Sequence, residues 1–301
     1  MGAHQHGQQH QHGHQEGHQH HGAAGIDWAT EGERLIRGAE LHADELRRTV
    51  AWLRAQQPAA RLVVDAGSGP GVASCLLAEA FPEAEVLAVD GTPELLRLAE
   101  ERAAALGLAG RVTVRRAELP GGLAGVAGVD LLWASRVVHH LGDQLAGLGE
   151  LAATLRPGGL LALAEGGLPT RFLPREFGLG RAGLQARLDA ANEEWFGRMR
   201  AELPGAATVV EDWPSLLTSA GLAPVGSRTF LTELPAPLGP EGRAYLVDRL
   251  ARQREVLDGV LDAEDLAALD VLLDPDAPEG LLRRPDAFYL SATTVHLGRA
   301  G

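Results

Sequence analysis

Residues 61–71 read Arg-Leu-Val-Val-Asp-Ala-Gly-Ser-Gly-Pro-Gly, and no other stretch of the chain restricts the fold so tightly. An aliphatic run at 62–64 ends in Asp65, three glycines follow at alternate positions, and residues 72–81 take on a helical pattern. That succession predicts a buried strand, a tight turn and a helix start. Glycine at positions 67, 69 and 71 lets the backbone turn sharply and lets a ligand approach it without a Cβ in the way.

Side chains separate the nucleotide-binding loops that share this glycine richness. A phosphate-cradling loop of the Walker type needs a lysine after its last glycine, but all 27 Lys+Arg residues of this chain are arginine. A dinucleotide fingerprint, Gly-x-Gly-x-x-Gly/Ala, would put its third small residue at Val72. The absence of lysine also excludes Schiff-base and pyridoxal-phosphate chemistry. A formal net charge of −13 argues against a nucleic-acid partner. No apolar run reaches the roughly 18 residues that span a bilayer, and no signal pattern opens the chain, so the expectation is a soluble cytoplasmic protein with no membrane partner. The single cysteine, Cys75, is expected as a small buried filler on the helix after the glycine loop.

Residues 1–25 hold eight of the twelve histidines (His4, His6, His10, His12, His14, His18, His20 and His21) among Gln and Gly. With almost nothing apolar to bury, this tail is expected to be disordered. Its imidazoles suit Ni²⁺, Cu²⁺ or Zn²⁺ in solution, and no metal site is expected in the folded domain at 26–301. One long helix, or two with a break near Gly38, is expected over residues 26–55 from the spacing of Leu35, Ala39, Ala43, Leu46, Val50 and Leu53. Trp28 there is either a cap over a pocket or ordinary core.

A second strand, residues 85–90, ends in Asp90, 25 residues after Asp65. An acid at this point of a nucleotide-binding α/β fold accepts from ribose hydroxyls, because one carboxylate takes two donors. The third strand, 111–116, leads into Ala117-Glu118-Leu119-Pro120. The fourth, 129–134, is followed by Ser135-Arg-Val-Val-His-His-Leu141, which reads as the start of a helix. Leu155-Arg-Pro-Gly-Gly159 introduces a fifth strand at 160–165, closed by Glu165. Residues 166–204 look mainly helical and carry Phe172, Phe177, Trp195 and Phe196. A helix at 211–220, a strand at 227–234, two helices within 243–273 and a closing strand at 286–297 follow, with no internal repeat.

Taken together, Asp65-x-Gly67-x-Gly69-x-Gly71, Asp90, Glu118-Leu-Pro, His139-His140-Leu and Leu155-Arg-Pro-Gly-Gly resemble, in order and spacing, the class I S-adenosylmethionine (SAM)-dependent methyltransferases. The apolar-His-His-Leu segment is similar to that of the UbiE-like small-molecule branch. The resemblance implies an α/β fold, a Rossmann-like seven-stranded sheet with helices on both faces. It also implies helical caps at about 26–57, 166–204 and 240–285, the last being part of the acceptor site or a homodimer surface. Asp65, Gly67, Ser68, Gly69, Gly71, Asp90, Gly91, Ala117, Glu118, Leu119 and Ser135 are then the cofactor-binding set, with Glu118 accepting from the adenine amino group. SAM would be the cofactor and S-adenosylhomocysteine the product. The acceptor would be a small molecule methylated at O, N or C, in natural-product biosynthesis. Trp28, Arg136, Phe172, Phe177, Trp195 and Phe196 are candidate acceptor-pocket walls, with an ordinary core role left open for each of the aromatics.

Methyl transfer asks a protein for alignment, exclusion of water and, for a hydroxyl acceptor, a base. His140 and His139, with Glu165 orienting an imidazole, are the candidates for that base; in the resembled family the same pair is elsewhere a structural feature only. Two other readings stay open from the sequence: a SAM- or S-adenosylhomocysteine-binding protein that transfers nothing, and a metal-binding protein acting through its His-rich tail.

Overall fold

The computed structural model describes residues 27–301, so the His-rich tail lies outside the described residues. Two helices lead in, α1 (Trp28–Leu41) and α2 (Ala43–Gln56). The break falls at His42, and Gly38 stays inside α1. The His42 ring bonds the Gly38 carbonyl at 2.7 Å and competes for it with the His42 backbone N–H, which sits at 3.3 Å. A side chain inserted into the helical ladder bends it there.

Alternating strands and helices follow: β1 (Leu62–Ala66), α3 (Val72–Ala80), β2 (Glu85–Asp90), α4 (Pro93–Ala105), β3 (Val112–Arg116) and β4 (Val129–Ser135). Next come α5 (Gln144–Ala152), β5 (Leu155–Arg171), α6 (Leu184–Glu202), α7 (Trp213–Ser219), β6 (Ala223–Leu234), α8 (Pro240–Val256), α9 (Ala263–Leu273) and β7 (Tyr289–Arg299). The strands form one sheet in the order β3-β2-β1-β4-β5-β7-β6. The first five run parallel, while β7 is antiparallel to both β5 and β6. The chain order therefore reverses between β1 and β4, the crevice where α/β sheets of this kind bind ligands at the carboxyl ends of their strands.

The period-2 alternation of each central strand feeds two cores. Val63, Leu131, Trp133 and Ala162 pack with Leu53, Cys75, Leu77 and Phe81 of the segment from α2 to the end of α3. Val64, Leu132, Ala134, Leu161 and Leu163 face the other way, onto Leu148 and Leu151 of α5 and Trp213 and Leu217 of α7. Strands covered on both faces read as continuous apolar runs, which is why they stand out in the sequence. Cys75 lies in the first core, where burial pushes its thiol up to about 11.

A third core is separate. Phe172, Phe177, Leu184, Leu188, Leu246, Leu250, Leu269 and Tyr289 join α6, α8 and α9 into a helical layer. The stretch after Glu165 differs from the expected helix, because β5 continues to Arg171 and α6 starts only at Leu184. Gly167 makes that extension possible: its φ is +129°, and a Cβ there would sit 1.9 Å from the Ala292 carbonyl oxygen of β7. The segment expected as a helix after Ser135 is a single 3₁₀ turn, Val138–His140. No helix among the described residues is long and apolar enough to cross a membrane.

Candidate active site

A cavity of about 810 Å³ opens at the β1/β4 crossover and extends beneath α1 and α8. The sheet order sorts what lines it. On the β3-β2-β1 side stand Asp65, Gly67, Ser68, Gly69, Asp90, Gly91, Ala117, Glu118 and Leu119; Ser135, Arg136, His140, Tyr245 and Thr293 belong to β4, β7 and the helices beside them.

The glycine loop is fixed by hydrogen bonds rather than by packing alone. Gly67 and Ser68 each donate a backbone N–H to the Val89 carbonyl, at 2.8 and 2.9 Å. Asp90 Oδ2 accepts from the Gly69 N–H and Oδ1 from the Thr92 N–H, both at 2.9 Å. Each oxygen of that carboxylate therefore keeps acceptor capacity facing the cavity. Gly67 takes φ +73°, and a Cβ there would meet Val137 Cγ2 at 2.2 Å, so glycine is required for the loop to close against the turn after β4.

Gly71 does not line the cavity. A Cβ on it would meet Ala99 Cβ at 2.6 Å, which makes it the close-approach point of the loop with α4. Asp65 is 2% exposed and accepts from Ser74 Oγ at 2.5 Å. Burial raises its pKa to about 7 against the pull of that hydrogen bond, and the neighbouring Asp90 adds to the rise.

These residues fit a SAM-sized ligand on grounds internal to the structure. Ser68 Oγ is buried with no hydrogen-bond partner among the described residues. Glu118 crowds Gly91 so closely that a Cβ there would lie 2.5 Å from its Oε1, yet among the described residues its carboxylate accepts no hydrogen bond. Nothing stands within 4 Å of a Cβ built on Gly69. Unfilled acceptors at the ends of two adjacent strands match a ligand rich in donors.

The other side of the cavity is different in charge. Arg136 has φ +56°, the one non-glycine residue of the described chain in the left-handed region, and no carboxylate among the described residues pairs with its guanidinium. Its backbone N–H donates to the Ala164 carbonyl at 3.0 Å, which anchors the strained residue to β5. His140 is exposed and lines the cavity. Desolvation there, with His139 and Arg200 adding to it, lowers its pKa to about 4 in spite of Glu165. The ring is therefore neutral at physiological pH.

His42 lines the wall as well. Its Nε2 meets the Tyr289 hydroxyl at 2.9 Å, and burial lowers its pKa. Tyr245 of α8 packs edge-on against both, with ring centroids at 6.0 and 5.6 Å. None of His42, Tyr245 and Thr293 was singled out from the sequence. Their elements are far apart in the chain, and only a tyrosine inside the third cap, 240–285, carried any signal.

The remaining expected residues are placed elsewhere. Glu165 is buried and turned to the backbone: Oε1 accepts from the Val137 and Val138 N–H groups at 3.0 and 2.9 Å, and Oε2 bonds His139 Nδ1 at 2.8 Å. His139 is not a cavity wall; its ring lies 4.1 Å from that of His140 and 5.6 Å from Phe196. Phe172 and Phe177 are buried in the helical layer with Trp195 packed against it, so none of the three lines the cavity. Trp28 does line it, from the first turn of α1.

A sequence model described as a methyltransferase domain matches residues 64–161. A relative from Methylobacterium radiotolerans, a trans-aconitate 2-methyltransferase, is 33% identical over 232 residues, covering 69% of this chain and 84% of its own. The chain belongs to the class I SAM-dependent methyltransferases, and SAM is its cofactor. A second trans-aconitate 2-methyltransferase, from Azoarcus sp., is 32% identical over 65% of this chain and 64% of the relative. Among solved structures, one from Bacillus halodurans C-125 named for a proposed methyltransferase activity shares the fold. Its TM-score is 0.51 at 14% identity, covering 84% of this chain and 97% of that one.

Proposed function

We propose that this enzyme methylates a carboxylate oxygen of a small polycarboxylic acid, an acceptor of the trans-aconitate class. One observation carries the reading: the cavity is acidic where Asp65, Asp90 and Glu118 stand, and beyond the crossover it offers the unpaired cation Arg136 with the neutral rings of His140 and His42. In a chain of net charge −13 an unpaired guanidinium facing a cavity is suited to an anionic ligand. Two curated relatives carry trans-aconitate in their names, and that acid has no hydroxyl or amine to accept a methyl group.

When bound, SAM supplies an electrophilic methyl group on a sulfonium sulfur. In the reading proposed, Asp90 accepts from the ribose hydroxyls and Glu118 from the adenine amine, while the backbone of residues 67–69 lies along the rest of the cofactor. Arg136 would take an acceptor carboxylate in a two-point contact and His140 would donate an N–H to it. A carboxylate is already ionised, so it attacks without losing a proton, and the protein's part is alignment and exclusion of water. The His140 pKa of about 4 suits this role and makes a poor base for an alcohol, whose proton is far more tightly held. Natural-product hydroxyl methylation is the second reading, favoured only by the neutral imidazole that faces the cavity.

Incubation of the purified chain with SAM and trans-aconitate, read by mass spectrometry for a methyl ester, tests the proposal. Ester formation that is lost with the mono-acid analogues supports it; turnover confined to hydroxyl acceptors sinks it. For Arg136→Gln the expected result is a rise in acceptor KM of about 10- to 100-fold, the loss of a charge-assisted hydrogen bond. The affinity for S-adenosylhomocysteine, measured by calorimetry, should stay within about twofold.

A further inference from the structure

The turn after β4, residues 136–142, brings Arg136, Val137, His140 and Leu141 to the cavity, yet it contains only one 3₁₀ turn of regular structure. Its two ends are satisfied by side chains from opposite directions. Glu165 on β5 takes the N–H groups of Val137 and Val138, the amino end of the turn. Arg200 on α6 takes the carbonyls at the other end, with Nη1 donating to His139 O at 2.9 Å and Leu141 O at 2.5 Å, and Nη2 reaching Gly142 O at 3.4 Å.

A carboxylate on orphan N–H groups and a guanidinium on orphan carbonyls is the charge arrangement that stabilises a helix, here applied to a turn too short to hold itself. The chain just past α6 also packs on this turn. Ala207 N–H donates to the Gly142 carbonyl at 3.0 Å, and a Cβ on Gly142 would lie 2.0 Å from the Pro204 carbonyl oxygen. Phe196, one helical turn before Arg200, rests against the His139 ring.

We propose that Arg200 is a positioning residue for methyl transfer, a clamp by which α6 holds the carbonyl end of the 136–142 turn so that Arg136 and His140 face the acceptor. α6 therefore acts on the acceptor side through the turn rather than as a wall of the cavity. The cofactor side is left alone, because Asp90 and Glu118 are set by β2 and β3, which Arg200 does not touch. Glu165 holds the other end, which gives it a task in the same device without contact to either reactant.

Lysine at position 200 keeps the charge but cannot span three carbonyls with a planar fork, and methionine keeps neither. For Arg200→Met the expected results are faster amide exchange at 137–142, kcat at least about tenfold lower, and an S-adenosylhomocysteine dissociation constant within about twofold of the parent protein. Arg200→Lys should recover less than a third of the lost kcat. Any methyl acceptor found to turn over serves for the kinetics, and the exchange measurement stands without one, so failure of the polycarboxylate reading does not decide this proposal. Unchanged exchange at 137–142, unchanged kcat well below the melting temperature, or full recovery by lysine would each overturn it. A loss of S-adenosylhomocysteine binding equal to the loss of kcat would overturn it too, since it would assign Arg200 to global folding.

Discussion

Asp90→Ala is expected to weaken S-adenosylhomocysteine binding by at least about 100-fold while leaving a folded protein. The carboxylate holds two things at once: it accepts from the Gly69 and Thr92 N–H groups, and its remaining lone pairs face the cavity. Hydrogen bonds to a charged acceptor contribute about 1.5–3 kcal/mol each. If Asp90 holds the ribose as proposed, loss of both ribose contacts alone amounts to roughly 3–6 kcal/mol, and every 1.4 kcal/mol is tenfold in affinity. Release of Gly69 adds an entropic cost, because the loop must then be ordered by the ligand itself. Asp90→Asn separates the effects: it keeps one carbonyl acceptor while turning the other oxygen into an amide donor, which opposes a backbone N–H but which a hydroxyl can still accept. Titration calorimetry on both variants, with circular dichroism to verify the fold, makes the measurement. An alanine variant that binds within threefold of the parent would remove Asp90 from the cofactor site altogether.

That side of the cavity was legible in the sequence for a physical reason. Its residues sit at the carboxyl ends of β1, β2 and β3, within about fifty residues of one another; β1 and β2 stand out as apolar strands covered on both faces, and the edge strand β3 by its Val-Thr-Val alternation. Gly71 shows the limit of such reading. It belongs to the glycine series, yet its task is to let Ala99 of α4 come close, and a glycine that faces a helix looks the same in sequence as one that faces a ligand.

The acceptor side was legible only in part, because it is assembled from chain segments with no common pattern. His42 comes from the break between α1 and α2, Tyr245 from α8, Thr293 from β7 and Arg136 from the turn after β4. Aromatic content left pocket wall and core undivided in the sequence, and the structure separates them. Phe172, Phe177 and Trp195 cluster in sequence after β5, but their neighbours Leu184, Leu188, Leu246 and Leu250 supply enough apolar surface to make a third core, and large rings are buried first where such a core exists. The β5 extension past Glu165 depends on Gly166 and Gly167 at positive φ, a backbone feature that composition does not reveal. Glu165 itself carried a sequence signal, the acid at the end of a strand, but only the structure gives its direction, onto the backbone of the turn.

Stability that falls as pH rises from about 4 to about 7, by on the order of 4 kcal/mol from a single group, is expected from Asp65. In the unfolded chain this carboxyl titrates near 3.8, and in the folded protein burial holds it at about 7. The folded state thus keeps a proton that the unfolded state has released, so within that window stability is lost with rising pH, at about 1.4 kcal/mol per unit. Below pH 4 both states are protonated and above pH 7 both are ionised, and the contribution is flat. Three histidines pull the other way: burial lowers His42, His140 and His296 below their unfolded value of 6.5, so their stabilisation is present above pH 6.5 and fades as pH falls. The parent curve sums opposing slopes, and the comparison with Asp65→Asn isolates the carboxyl. Asparagine keeps an oxygen to accept from Ser74 Oγ and cannot ionise, so urea denaturation should find the variant gaining stability relative to the parent between pH 5 and pH 8, by about 3 kcal/mol. Parallel curves for the two proteins would mean that Asp65 is ionised throughout that range, and the glycine loop would then carry two negative charges, Asp65 and Asp90, below pH 7 as well as above it.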